Sequence, residues 1–145
     1  RLRGRLSRVY GRPVRCAVEI AAVGAEQRDD AAQVTQALRG EPLEIDAERD
    51  GFVHVVTAYG YPGWMRAGFV EDGEGSLPPP RDGSPVDEAR SYLGAPYEWG
   101  GLTARGIDCS GLVHVAYRRL GRLVPRDAWQ QEEAGADSPE STRSR

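Results

Sequence analysis

At 145 residues and 15.8 kDa the chain has room for one ordinary domain or two small ones. Hydrophobic residues make up 39% and charged residues 28%, the balance of a chain with a packed core rather than a fibrous or disordered one. A formal net charge of −3 provides no global field to recruit nucleic acid or anionic lipid, and no apolar run approaches the length of a membrane span.

All 19 basic residues are arginine, which with the abundant Ala and Gly reads as a GC-rich coding bias rather than a binding role. The sequence starts at Arg1 and not at Met, so a processed or cut N-terminus is expected. Residues 1–15 hold six arginines and no acid. They look like the n-region of an export signal, but Cys16–Ala25 carries Glu19 and is too short and polar to follow as its apolar core. The arm therefore reads as unstructured, with an RNA- or envelope-binding arm as the alternative.

Residues 16–72 read as short strands. Cys16, Val18, Ile20 and Ala22 share one parity, which makes Cys16 a small core residue. Val34, Gln36 and Leu38 follow the same spacing. After the Gly40-Glu41-Pro42 turn, Leu43, Ile45 and Ala47 alternate with Glu44 and Asp46. Asp50-Gly51 is a hairpin signal, and Phe52–Thr57 is strongly β-prone. Gly60 and Pro62-Gly63 lead to Trp64, and Gly68-Phe69-Val70 closes the segment. Close-spaced strands with Gly-rich turns imply a small barrel. The order of Gly40–Ile45, Gly51–Val55 and Gly63-Trp64-Met65 resembles a bacterial SH3-type (SH3b) domain. Such a domain implies a cell-wall peptide or glycan as ligand, or packing on a catalytic partner. Trp64, Tyr59 and Tyr61 fit either barrel packing or a ligand platform.

Residues 73–84 are a linker, stiffened by Pro78-Pro79-Pro80. Ser84-Pro85-Val86-Asp87 then starts a helix, with a Ser N-cap and Pro at the first helical position. It should run to Leu93 and stop at Gly94, burying Ala89, Tyr92 and Leu93. A turn-rich stretch, Ala95–Ile107, precedes a second helix from Cys109 to Leu120. That helix has Asp108 as N-cap, Gly121 as stop, and Leu112, Val113, Ala116 and Leu120 as its apolar stripe.

Cys109 is the centre of interest. A thiol is a poor nucleophile until ionised, and the unpaired N–H groups of a helix start favour the thiolate. The same N–H groups suit an oxyanion, and Gly111 would leave the first turn open to a substrate carbonyl. A carboxylate beside the thiol opposes ionisation, so Asp108 should point elsewhere, either capping the helix or holding a substrate ammonium. Two cysteines make no disulfide framework, and a Cys16–Cys109 bridge would consume this thiol. Cys16, His54, Cys109 and His114 lack zinc-site spacing, so neither a metal nor a cofactor is expected.

Tyr97, Trp99-Gly100-Gly101 and Asp108–Val113 together resemble the NlpC-type cell-wall peptidases. Tyr92-Leu93-Gly94 before the proline, Leu123–Arg126 and Gln130-Gln131 fit the same family. The resemblance spans residues 85–134 and implies a papain-like cysteine peptidase that cleaves γ-D-glutamyl–diamino acid bonds in peptidoglycan stem peptides. Cys109 would be the nucleophile, and Tyr97 would place its hydroxyl near the thiol. Asp108 and Ser110 would recognise the polar end of the stem peptide, and Trp99, Gly100 and Gly101 would shape the pocket wall. For Trp99 and Ser110, core packing and a local first-turn hydrogen bond are the alternatives. The implied location is extracellular or in the cell envelope. The expected class is α+β, with a small SH3-like barrel followed by the helical N-terminal half of a papain-like domain.

One part of the pattern is missing. A papain-like site needs a histidine base downstream of the cysteine. Here 36 residues follow Cys109, and none beyond His114 is histidine. His114 lies about 140° around the helix from Cys109, facing away from the thiol. His54 belongs to the barrel. Glu132–Arg145 lacks periodicity and reads as disordered, a tail placed at residues 135–145. The expectation is a chain truncated before its sheet half and inactive alone. The alternatives are a wall-binding SH3b module with a vestigial catalytic remnant, or, more weakly, a redox-sensing thiol.

Overall fold

The computed structural model describes residues 13–136; most of the basic arm and of the C-terminal tail expected from the sequence lies outside these. The chain divides into two compact units, one ending at Pro78 and the other beginning at Pro79.

The first unit is one antiparallel sheet. Its strands are β1 (Val14–Cys16), β2 (Ile20–Gly24), β3 (Gln33–Leu38), β4 (Pro42–Arg49), β5 (Phe52–Thr57), β6 (Pro62–Arg66) and β7 (Val70–Asp72), in the spatial order β3-β2-β6-β5-β4-β1-β7. A single 3₁₀ turn, Ala67–Phe69, joins the last two. Asp50 and Gly51 both take positive φ (53° and 84°), the left-handed pair that a two-residue hairpin needs to match strand twist. Arg49 and Phe52 face each other across it. Asp46 is the extra residue of a bulge, since Ile45 pairs with Val55 and Ala47 with His54. Gly63 pairs with Val55 where a Cβ would collide with Val23, so close packing there requires glycine.

All seven strands send side chains into one core, among them Cys16, Val23, Ala37, Val53, Val55, Met65 and Val70. Both edge strands contribute, so the sheet curls around its inner face. The parity expected over Cys16–Ala22 breaks: Cys16 is buried, but then Ala21 and Val23 face inward while Ala22 is exposed. The chain turns at Ala17–Glu19 between β1 and β2, which resets the alternation. β1 also begins at Val14, inside the stretch expected to be an unstructured arm. Residues 73–76 dock rather than hang free: Gly73 N donates to the Pro13 carbonyl and Ser76 N to that of Gly40.

The second unit has three helices, α1 (Pro85–Arg90), α2 (Cys109–Arg118) and α3 (Ala128–Ala136), and a short ribbon, β8 (Leu102–Thr103) with β9 (Gly106–Ile107). Ser84 caps α1 through its Oγ, which accepts from Asp87 N at 3.2 Å. The helix stops at Arg90, short of the expected Leu93. Residues 91–94 continue as turns, and Leu93 is 83% exposed, so it is not part of a buried side. α3 covers Glu132–Ala136, where disorder was expected. Among the described residues no helix is long and apolar enough to cross a membrane, and no cluster of His, Cys, Asp and Glu suits a metal ion.

Candidate active site

Cys109 is the first residue of α2, and its side chain is exposed. Asp108 adopts the extended backbone of an N-cap, and its Oδ1 accepts from Gly111 N at 2.7 Å. The other oxygen, Oδ2, accepts from Gly100 N at 2.7 Å. One carboxylate thus ties the helix start to the loop that carries Trp99 and Gly100.

That loop is built tightly against the helix. Gly101 N donates to the Glu98 carbonyl, Glu98 N to that of Ile107, and Ile107 N to that of Pro96. Tyr97 forms an isolated bridge with Ile107, which places its backbone beside the strand that leads into Cys109. Gly100 takes φ 80°, a conformation that favours glycine. At Gly101 a Cβ would run into the Gly106 backbone, and at Gly111 into the Gly101 carbonyl and Asp108. The missing side chain of Gly111 therefore permits helix–loop packing; the space is filled from within the protein and does not serve a substrate's approach.

The buried face of α2 differs from the expected apolar stripe. Ser110, Gly111, His114, Val115, Ala116 and Arg118 are buried, whereas Val113 is exposed and Leu112 and Leu120 are half-buried. Ser110, His114 and Arg118 recur every four residues, so one side of the helix is a polar stripe turned inward. The Ser110 end of this stripe meets Arg126, itself 1% exposed. Its Nη1 donates to Asp108 Oδ1 (3.1 Å) and Ser110 Oγ (3.0 Å), and its Nη2 to Asp108 Oδ2 (3.3 Å) and the Gly101 carbonyl (3.4 Å). A buried charge needs a partner and satisfied hydrogen bonds, and this guanidinium has both. Gln131 on α3 adds a further tie, its Nε2 donating to the carbonyls of Ser110 (2.9 Å) and Pro125 (2.8 Å).

The two histidines sit in contrasting places. His114 is fully buried, with Nδ1 2.9 Å from the Val124 carbonyl. A carbonyl only accepts, so this nitrogen carries the hydrogen in the neutral ring. Burial, assisted by the Arg118 charge, pushes the His114 pKa down to about 4. His54 lies in the first unit, 2.7 Å from Asp46 Oδ1 through Nδ1, with its ring edge-on to Trp64 at 5.0 Å. Tyr59 holds β3 through its hydroxyl, 2.8 Å from Thr35 Oγ1 and donating to the Gln36 carbonyl at 3.2 Å. Cys16 and Cys109 are both free, and burial pushes the Cys16 thiol up.

The structure thus brings Gly100, Gly101, Asp108 and Ser110 together under the start of α2. Cys109, Tyr97 and Trp99 carry exposed side chains on the same loop–helix junction, the latter two each 66% exposed. Sequence reasoning did not assign the network made by Arg126, His114 and Gln131. The four-residue spacing of Ser110, His114 and Arg118 was the available signal.

Residues 94–145 match the NlpC/P60 family, and residues 25–68 match the bacterial dipeptidyl-peptidase Sh3 domain. The chain is 31% identical over 100 residues to a gamma-D-glutamyl-L-lysine dipeptidyl-peptidase of Bacillus subtilis, an alignment covering 67% of this chain and 32% of that protein. It is 46% identical over 50 residues to the probable endopeptidase NlpC of Escherichia coli, covering 34% of this chain and 32% of that one. A crystal structure of an NlpC/P60 family protein from Bacillus cereus aligns over 84% of this chain and 41% of its own, at 23% identity and a TM-score of 0.35. The chain spans about a third of the length of these two curated relatives. The chain thus carries, in this order, a match to the bacterial dipeptidyl-peptidase Sh3 domain and a match to the NlpC/P60 family.

Proposed function

We propose that this chain is part of a cysteine peptidase of the bacterial cell wall, extracellular or envelope-bound, in which Cys109 attacks γ-D-glutamyl–diamino acid bonds of peptidoglycan stem peptides. The observation that carries the reading is an exposed thiol at the first position of a capped helix, held against a glycine loop inside an NlpC/P60 match. The name of the Bacillus subtilis relative, a gamma-D-glutamyl-L-lysine dipeptidyl-peptidase, supports this choice of bond.

In this reading the thiolate of Cys109 adds to the γ-carbonyl carbon and a C–S bond forms. The C–N bond then breaks as the leaving amine takes up a proton, and water hydrolyses the thioester. Gly111 N and Leu112 N are already engaged by Asp108, so the N–H groups of Cys109 and Ser110 are assigned to the oxyanion. Tyr97 and Trp99 present exposed rings for substrate orientation and a pocket wall, with Gly100 and Gly101 setting that wall's backbone. Asp108 and Ser110 act from below, shaping the polar end of the subsite. His114 is assigned no proton transfer, because it is buried and bound to a carbonyl. The curled sheet of the first unit is read as an SH3-like barrel that binds wall material, and α1–α2 as the helical start of a papain-like domain.

Two measurements test this. A γ-D-glutamyl diazomethyl ketone should alkylate Cys109 of the 145-residue chain and leave Cys16 intact. Hydrolysis of L-Ala-γ-D-Glu-diamino acid peptides by the native protein should vanish with Cys109→Ala and persist with Cys16→Ala. Equal loss from the two substitutions overturns the assignment.

A further inference from the structure

The nucleophile reading gives the buried Arg126 no role. Arg126 is the largest fully buried side chain among the described residues, and its guanidinium reaches three separate pieces of the site. It grips both oxygens of the helix cap Asp108, the hydroxyl of Ser110 on the far side of Cys109, and the Gly101 carbonyl of the loop that bears Trp99. We propose that Arg126 is a positioning residue for Cys109: it locks and neutralises the Asp108 carboxylate, so that the thiol sits beside a cap rather than beside a free negative charge. The inference rests on the nucleophile reading of Cys109.

Asp108 precedes Cys109 directly in the chain, and an uncompensated carboxylate there disfavours the thiolate. Two N–H groups of one guanidinium, together with the N–H groups of Gly100 and Gly111, occupy that carboxylate on all sides. Its rotation is fixed, and so is the direction in which α2 leaves the loop. A lysine at position 126 supplies the charge but lacks the planar fork that reaches Ser110 and Gly101 as well. The other ionisable groups on the packed elements are Tyr97, Glu98 and Arg105 in the loop, His114, Tyr117 and Arg118 on α2, Asp127 beside Arg126, Glu132 and Glu133 on α3, and Asp87, Glu88 and Arg90 on α1. None of these changes in the test, so the comparison isolates the Arg126–Asp108 pair.

The test is iodoacetamide alkylation of the full 145-residue chain between pH 5 and 9.5, read at Cys109 by peptide mass spectrometry. Arg126→Gln should slow labelling at pH 7 about tenfold and raise the midpoint of the pH profile by about one unit. Arg126→Lys should keep the parent's midpoint. Asp108→Asn combined with Arg126→Gln should bring the midpoint back towards the parent, because the unpaired carboxylate is gone. A purely structural arginine predicts no such return. If Arg126→Gln loses its helical circular dichroism, the lysine and double variants carry the decision by the same criteria. The inference is overturned by a folded Arg126→Gln within twofold of the parent at every pH. A midpoint raised equally by lysine, or a double variant as slow as Arg126→Gln, overturns it too. A parent Cys109 no faster than glutathione at pH 7 sinks the nucleophile reading itself, whatever the variants do.

Discussion

The two units differ in what they bury beside their apolar residues. The hydrophobic core cluster lies wholly in the first, drawn from every strand of the sheet. The second buries Asp108, His114, Arg118 and Arg126, while every large hydrophobic exposed among the described residues, Leu93, Tyr97, Trp99 and Trp129 among them, also belongs to it. The first unit therefore rests mainly on apolar area removed from water, with Thr35, Gln36, Thr57 and Glu41 as buried polar exceptions, the last accepting from Leu38 N through its Oε1. The second buries Leu102, Ile107, Val115 and Ala116 beside a charged network. Buried ion pairs hold a geometry more than they add stability, because desolvation offsets most of their attraction. A core of the first type suits a ligand-carrying module. The second type of core suits a site in which one thiol must be held in place.

The cysteines give the largest test of this contrast. Cys16 is buried in the sheet core, so labelling it requires that unit to open, whereas Cys109 is exposed. At pH 7, iodoacetamide should modify Cys109 at least about 100-fold faster than Cys16, read by peptide mass spectrometry. Comparable rates would break the distinction.

Acid should separate the units next. The folded His114 pKa of about 4 lies below the usual 6.5, so folding excludes a proton. The contribution is absent above pH 6.5. Stability is lost as pH falls from there towards 4, by about 3 kcal/mol in all. Hydrogen exchange in α2 should rise across that window, after correction for intrinsic rates, and His114→Gln should flatten the rise. Strand amides of β2, which carries no histidine, provide the internal reference.

The smallest effect sharpens the comparison from its exposed side. Leu93→Ser should change stability by less than about 0.5 kcal/mol in urea unfolding, because 83% of that side chain already faces solvent. A loss of several kcal/mol would show that Leu93 is covered in solution.

Much of the local architecture was legible in the sequence because its signals are short-range. Asp50-Gly51 specified the hairpin, Ser84-Pro85 the start of α1, and Asp108 the start of α2 with Gly121, at φ 85°, beyond its end. Phe52–Thr57 formed the strand that its β-branched pattern required. What stayed hidden depends on partners distant in sequence. The inward polar side of α2 is satisfied from far along the chain, Arg126 reaching back sixteen residues to Ser110 and eighteen to Asp108 and the Val124 carbonyl meeting His114, which no helical periodicity encodes. The turn at Ala17–Glu19 has neither Gly nor Pro to mark it, so the alternation around it pointed the wrong way. Leu93 carries the hydrophobicity of a core residue at a site where the described structure offers no cover. The family resemblance pointed to Tyr97, Trp99 and the glycine pair alongside Cys109, whereas nothing in it was used to place the guanidinium of Arg126 against Asp108.

The strand order has a kinetic consequence. β4 and β5 are joined by two residues and can pair within microseconds. β1, in contrast, lies between β4 and β7, with Val14 opposite Asp72. On a ribosome adding 5–20 residues per second, β1 emerges roughly 3–12 s before the strand that completes its pairing has been made. During that interval its outer edge is open, and Val14 and Cys16 wait for a core that cannot yet close. The first unit is thus finished from its beginning and its end at once, and the nascent chain needs protection longest at the strand that appears first.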